Sequence, residues 1–402
     1  MNTFRHSPPS RQTGVALLIF TIAMVVIIGV AGLALDMAHA YLNKTRLQNA
    51  LDAAALSGAK TLNEGGDVTA SEADARTTFQ LHLVGEMGQA GLNPIVEFSD
   101  TLQPFVSGGI DPRYVRVREA NFAMPVWFAR VLPGVGDNQQ VGASAVAGPS
   151  PPLGTGENGE TCDIAPMLIC GDGADQDCSD GACYGYDLGA EEEIVLKTSS
   201  ATSEDWEVGP GNFQLIQLDC GPGGDCVREE LAGGFSGCLT NGDTATTKPG
   251  NNVGPVAQGF NTRFGIYQGA GMNEIDYPPD VVTYNDPDFW HLDYLNRLDN
   301  GPYDYMSLAD GGVGVPKRRI MAAPIGDCTG TTNGQGEVTI WRLGCFFMTR
   351  PASHSGNTQE VYGQLVEECE ASGTIAENPP GPGTGPTLFK IILYKDPDSI
   401  DS

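Results

Sequence analysis

Four aspartates, Asp172, Asp175, Asp177 and Asp180, fall within the ten residues "DGADQDCSDG". A hard cation such as calcium takes several oxygen ligands from a flexible loop, and this cluster could supply them. Its spacing misses the EF-hand order and lacks the distal glutamate, while Cys178 and Cys183 are placed to tie the loop down. A solvated acidic loop tied down by a disulfide is therefore the expectation, and no metal ligand is assigned. The histidines limit other chemistry. Of His6, His39, His82, His291 and His354, only the last two lie in the cysteine-containing half. A nucleophilic pairing of Cys238 with His291 or His354 would need a free thiol. No G-x-S-x-G, H-E-x-x-H or P-loop pattern occurs. We assign no catalytic, cofactor-binding or metal residue, and expect a protein that is not an enzyme and needs no cofactor. Asp36 is the remaining candidate. As an intramembrane acid it would be a relay or a lock for a partner, but its place at the end of an apolar run reads as a boundary residue near headgroups and water.

All ten cysteines follow residue 161: Cys162, Cys170, Cys178, Cys183, Cys220, Cys226, Cys238, Cys328, Cys345 and Cys369. An even number in loop-rich sequence implies a disulfide framework and an oxidising compartment, with connectivity left open. Structural zinc is the weaker reading, because histidines and a second close C-x-x-C are missing. Charge divides the chain at the same place. Residues 1–150 carry 10 Lys/Arg and 12 Asp/Glu, whereas residues 151–402 carry 12 and 38. So acidic a surface repels phosphate backbones, which excludes nucleic acid as a partner.

The elements that must hold these residues begin with Val15–Leu35, "VALLIFTIAMVVIIGVAGLAL", which carries no charge over 21 residues. At about 1.5 Å per residue it crosses a hydrocarbon core of about 30 Å. An A-x-A site at Ala38-His39-Ala40 would suit signal cleavage, but the helical pattern runs on through it, so an uncleaved anchor is expected. Arg5 and Arg11 before the span balance Lys44 and Arg46 after it. The cysteines decide the orientation: residues 36–402 on the oxidising side and a short tail, residues 1–14, in the cytoplasm.

Beyond the span Leu47, Ala50, Leu51, Ala54 and Gly58 form one stripe at helical spacing, so span and stripe read as one helix ending at Gly65-Gly66. Ser71-Glu72-Ala73-Asp74 reads as a capping box opening a second helix that reaches about Met87. Alternation predicts strands at Ile95–Phe98 and Arg113–Arg118, with Val115 and Val117 on one face, and a third at Gln140–Gly148. The apolar "PVWFARVLPG" between them reads as a helical turn or lid. Residues 149–160 are a Pro/Gly-rich linker. After it, strands are expected at Glu193–Lys197, Phe213–Leu218, Ile320–Pro324, Val338–Met348 and Leu388–Tyr394, separated by long Gly/Asn/Asp/Pro stretches. The fold class is thus α+β: a transmembrane helix continuing into a pilin-like helix packed on a small antiparallel sheet (residues 36–148), then an acidic β-rich disulfide-containing domain (residues 161–402).

"TGVALLIFTIAMVVIIGVAGLALDMAHAYLNKTRLQNALDAAALSGA" resembles the N-terminal segment of TadG-like proteins of bacterial Tad/Flp (tight adherence) pilus-assembly systems. Gly14, Asp36, Leu47-Gln48-Asn49-Ala50 and Asp52-Ala53-Ala54-Ala55-Leu56 are the matching positions. "VRVREANFAMPVWFARVLPGVGDNQQVGASAVAG" is similar to the close of that family's domain. The second half, notably "VGPGNFQLIQLD", is similar to an uncharacterised extension on some members. Related pilin-like proteins carry Glu five residues after the processing glycine, where this chain has Ile19, so the resemblance does not extend to prepilin-type cleavage. Nor is there the Asp-x-Ser-x-Ser of a von Willebrand A-type domain. The resemblance implies a single-pass inner-membrane protein with its bulk in the periplasm, anchored through residues 15–35. Other pilus-assembly membrane proteins, pilins or a second copy of the chain would be its partners. The alternative is an adhesin or calcium-dependent surface-binding module in the acidic half.

Overall fold

A computed structural model describes residues 13–64, 66–131, 134–176, 178, 181–198, 212–218, 223–305, 314–328, 334–354, 359–377 and 385–399. The chain forms two units. The first comprises residues up to Lys60, Val68–Gly148 and Leu393–Ser402; the second consists chiefly of Pro149–Ile392.

The first unit is organised by one 51-residue helix, α1 (Thr13–Asn63), so span and stripe are continuous as the sequence predicts. Its two halves bury themselves differently. Every large apolar side chain from Leu17 to Leu35 is exposed, and the helix is long and apolar enough there to cross a membrane. Further along, Leu47, Ala50, Leu51, Ala54, Ala55 and Ala59 are buried by the chain itself. Gln48 Nε2 donates to the Ser144 carbonyl at 2.9 Å, which ties α1 to the sheet.

Helix α2 (Val68–Leu81) is followed by the short α3 (Glu86–Ala90), so the second helix is broken rather than running to Met87. It also begins before Ser71. The Ser71 hydroxyl does not cap α2 but donates to the Gly58 carbonyl of α1 at 2.7 Å. A Cβ at Gly58 would stand 3.1 Å from Ala75 Cβ, so a glycine there lets the two backbones approach. What reads as a start signal is therefore a helix–helix contact.

Strands β1 (Ile95–Ser99), β2 (Tyr114–Pro125) and β3 (Asn138–Pro149) form an antiparallel sheet, with Val96 opposite Val117 and Val115 opposite Ala147. Val115 and Val117 are buried, as the alternation predicts. Strand β2 is twice the expected length. Between Glu119 and Phe122 its register advances three residues against two on β3, a bulge that shifts the parity. Phe122 and Met124 are consequently buried although they are out of step with Val115 and Val117. A fourth strand, Ile391–Tyr394, lies beside β3, and the chain from Leu393 onward belongs to this unit. Its tail is fixed by charge: Ser144 Oγ donates to Asp396, and Arg116 meets Asp398 at 2.5 Å and Glu97 at 3.0 Å. Burial opposes the Arg116 charge, but Asp398 and Glu97 outweigh it and raise its pKa.

The second unit is built on a ten-stranded sheet. Ile320–Gly326 pairs antiparallel with Glu337–Met348 at its centre. Glu160–Ile164 and Phe235–Leu239 continue it on one side, Thr244–Pro249 and Asn212–Gln217 on the other. Val361–Val366 pairs with Glu337–Met348 and with Ile194–Lys197. Adjacent residues point to opposite faces, and Phe346 and Phe347 are both fully buried, in different cores. Both faces of the sheet are therefore covered. Helices Gly224–Gly233 and Val253–Phe260 supply Leu231 and Phe260 to one core, and His291–Asn300 supplies Tyr294 to the other. The expected strand Leu388–Tyr394 is two strands, Thr387–Phe389 and Ile391–Tyr394, and the first pairs with Glu368–Glu370. Disulfides join Cys162–Cys238, Cys170–Cys328, Cys178–Cys183 and Cys345–Cys369, and Cys226 is also disulfide-bonded.

Candidate functional site

Asp36, which the sequence leaves as a boundary residue, has a partner within its own unit. Its carboxylate accepts the backbone N–H groups of Trp127 (3.0 Å), Phe128 (2.9 and 3.2 Å) and Ala129 (2.5 Å). These belong to the "PVWFARVLPG" segment, in which Ala129–Val131 forms a 3₁₀ turn. A carboxylate facing consecutive free N–H groups at a helical start is a favourable charge-assisted arrangement. One turn before Asp36, a Cβ on Gly32 would lie 2.8 Å from Phe128 Cβ, so only glycine admits the phenylalanine. One turn after it, the His39 ring stacks on Trp127 with centroids 4.1 Å apart, and Nε2 stands 3.0 Å from the Glu86 carboxylate. Gly32, Asp36 and His39 share one face of α1 at spacings of four and three. They hold the loop against the helix where the apolar run ends. The sequence contains both parts of this contact but gives no spacing rule to join residues 91 apart.

The other candidates are structural. Cys238 is bonded to Cys162, so the Cys238–His pairings lack their thiol. Asp172 Oδ1 accepts the Ala174 N–H and Asp175 Oδ2 the Gly185 N–H; Asp177 and Asp180 lie outside the described residues. Among the described residues no group of three or more acids, histidines or cysteines could hold a metal. Two buried cations stand out in the second unit. Lys197 donates to Asn251 Oδ1 at 2.5 Å and to the Thr198 and Gln359 carbonyls, and burial lowers its pKa to about 8 against the pull of Glu360. Arg319 is fully buried, with its guanidinium on the carbonyls of Val282, Tyr284, Met348 and Thr349. Burial brings Arg319 down to about 10, with Asp280 opposing. Both side chains spend their donors on acceptors of the fold, so they specify its packing. Burial lowers His291 to about 4, and its Nε2 is buried without a hydrogen bond.

The helix carrying Gly32, Asp36, His39 and the buried stripe can be compared with known families. Residues 14–61 match the Tad family model, described as "Putative Flp pilus-assembly TadE/G-like". This segment is TadE/G-like. The match begins one residue into α1 and ends two residues before it does, so the chain carries a Tad pilus-assembly-related element whose whole length is this helix. Neither the curated proteins nor the solved structures contain a match to the chain. The loop that the TadE/G-like helix holds through Asp36 lies outside the matched residues.

Proposed function

We propose that this chain is a single-span, membrane-anchored component of Tad/Flp pilus assembly that acts through protein–protein contacts and catalyses no reaction. The observation that carries this reading is that one TadE/G-like helix is apolar and exposed over its first half and buried core over its second. A helix of this kind couples an anchor rigidly to a folded body. The disulfides favour residues 36–402 lying in the periplasm, with the short N-terminal tail in the cytoplasm of a bacterial cell. The partners expected are pilins, other pilus-assembly membrane proteins or a second copy. They would meet α1 on its exposed side past the span, where Leu42, Arg46 and Asn49 face outward.

Membrane fractionation combined with photocrosslinking from Leu42, Arg46 and Asn49 tests this directly. The full chain should resist alkaline extraction and give adducts with pilins or Tad membrane proteins. Release into the alkaline supernatant, or the absence of any protein adduct from all three positions, would contradict it.

A further inference from the structure

The loop docked on Asp36 exposes a set of apolar side chains among the described residues of the first unit. Trp127 and Phe128 are each 47% exposed and Val131 is 84% exposed, with Arg130 outward among them. Their height along α1 is fixed. Phe128 packs on Gly32, three residues before the end of the uncharged run at Leu35, and the loop backbone is bonded to Asp36, one residue after that end. At about 1.5 Å per residue, Phe128 therefore stands roughly 4–5 Å inside the hydrocarbon edge if Val15–Leu35 spans the bilayer. The loop cannot reach that depth and remain in water.

Irregular backbone at that depth is tolerated only where its polar groups are satisfied. Five of the six N–H groups from Val126 to Val131 meet this condition. The Val126 N–H bonds to the Asp137 carbonyl, the next three N–H groups to Asp36, and the Val131 N–H to the Phe128 carbonyl. Aromatic rings beside an arginine also match the chemistry of the headgroup boundary, where Trp takes an apolar body and a polar edge and Arg extends its charge toward phosphate. We propose that Trp127, Phe128 and Val131 form a second membrane contact, inserted at the acyl–headgroup boundary of the leaflet that α1 exits. In this role Asp36 is a positioning residue: it holds the loop at lipid depth and supplies the acceptors that water would otherwise provide. With two contacts instead of one, the rotation of α1 about its own axis is fixed relative to the membrane surface.

This inference rests on the anchor reading, and the test separates the two. The full chain is purified with one new cysteine at a time, Ile28→Cys in the span, Val131→Cys in the loop or Ile110→Cys on the connection between β1 and β2. Among the described residues no cysteine is free, and the unsubstituted chain serves as the labelling control. Each variant carries an environment-sensitive fluorophore in phosphatidylcholine/phosphatidylglycerol vesicles, with or without lipids bearing a shallow acyl-chain nitroxide. The expected result is blue-shifted, nitroxide-quenched emission from Val131→Cys and Ile28→Cys, and unquenched emission from Ile110→Cys. Quenching at Ile28→Cys with Val131→Cys behaving like Ile110→Cys would overturn the loop proposal and leave the anchor standing. No quenching at Ile28→Cys would overturn both. Adding Asp36→Ala to Val131→Cys should weaken the quenching while that of Ile28→Cys persists; unchanged quenching would overturn the positioning role.

Discussion

Asp36 and His291 show two ways in which a single titratable side chain is committed by its surroundings. Asp36 is committed by donors: its one carboxylate accepts N–H groups from three consecutive residues. Asp36→Ala should release that segment, and hydrogen exchange at Trp127, Phe128 and Ala129 should quicken while exchange in β1 and β3 stays slow. Equal exchange in variant and parent would show that the carboxylate does not hold the loop. His291 is committed by burial, which lowers it to about 4 from the ordinary 6.5 of histidine, with Lys317 adding repulsion. Its neutral form is the folded one. Between pH 6.5 and 4 the unfolded chain takes up a proton that the folded chain refuses, so stability falls as pH falls through this window, by about 3 kcal/mol at its foot. His291→Phe retains a ring against Tyr294 and Phe347 and removes the proton site. Denaturant unfolding of the variant should therefore lose this part of the acid sensitivity; parallel pH profiles for parent and variant would contradict it.

Among the elements, α1 and the sheet of the first unit were the most legible in the sequence, because periodicity survives wherever one face is buried. The stripe Leu47, Ala50, Leu51, Ala54, Gly58 is buried as its spacing predicts, and its small residues fit close packing. Ala50→Leu with Ala54→Leu should overpack this interface and cost roughly 1–3 kcal/mol per site, less than additively for neighbours on one face. A thermal midpoint of the first unit unchanged by both would mean that the stripe is not core. Four features were not legible, each for a physical reason. The bulge between Glu119 and Phe122 breaks the period of two, so β2 reads as ending at Arg118 when it continues to Pro125. Ser71 has the composition of a cap but spends its hydroxyl on Gly58. The helices at Gly224–Gly233, Val253–Phe260 and His291–Asn300 are short pieces in Gly-, Asn- and Asp-rich sequence, stabilised by burial and not by propensity. The contact of Asp36 with residues 127–129 was invisible for another reason: it joins distant segments through backbone N–H groups, which have no side-chain signature.

At the scale of the whole molecule, composition and structure divide the labour. The TadE/G-like helix organises the first unit, while the acidic second unit holds all the cysteines and a sheet covered on both faces. That separation suits a component whose anchor and first unit engage the assembly machinery. Participation in pilus assembly is tested most directly by counting Flp-type pili on cells lacking this chain and on the same cells supplied with it again. Pili should be lost without the chain and return with the full-length protein, but not with a variant in which Ala50→Leu and Ala54→Leu disrupt the helix's buried face. Undiminished pili on cells that lack the chain would contradict the account.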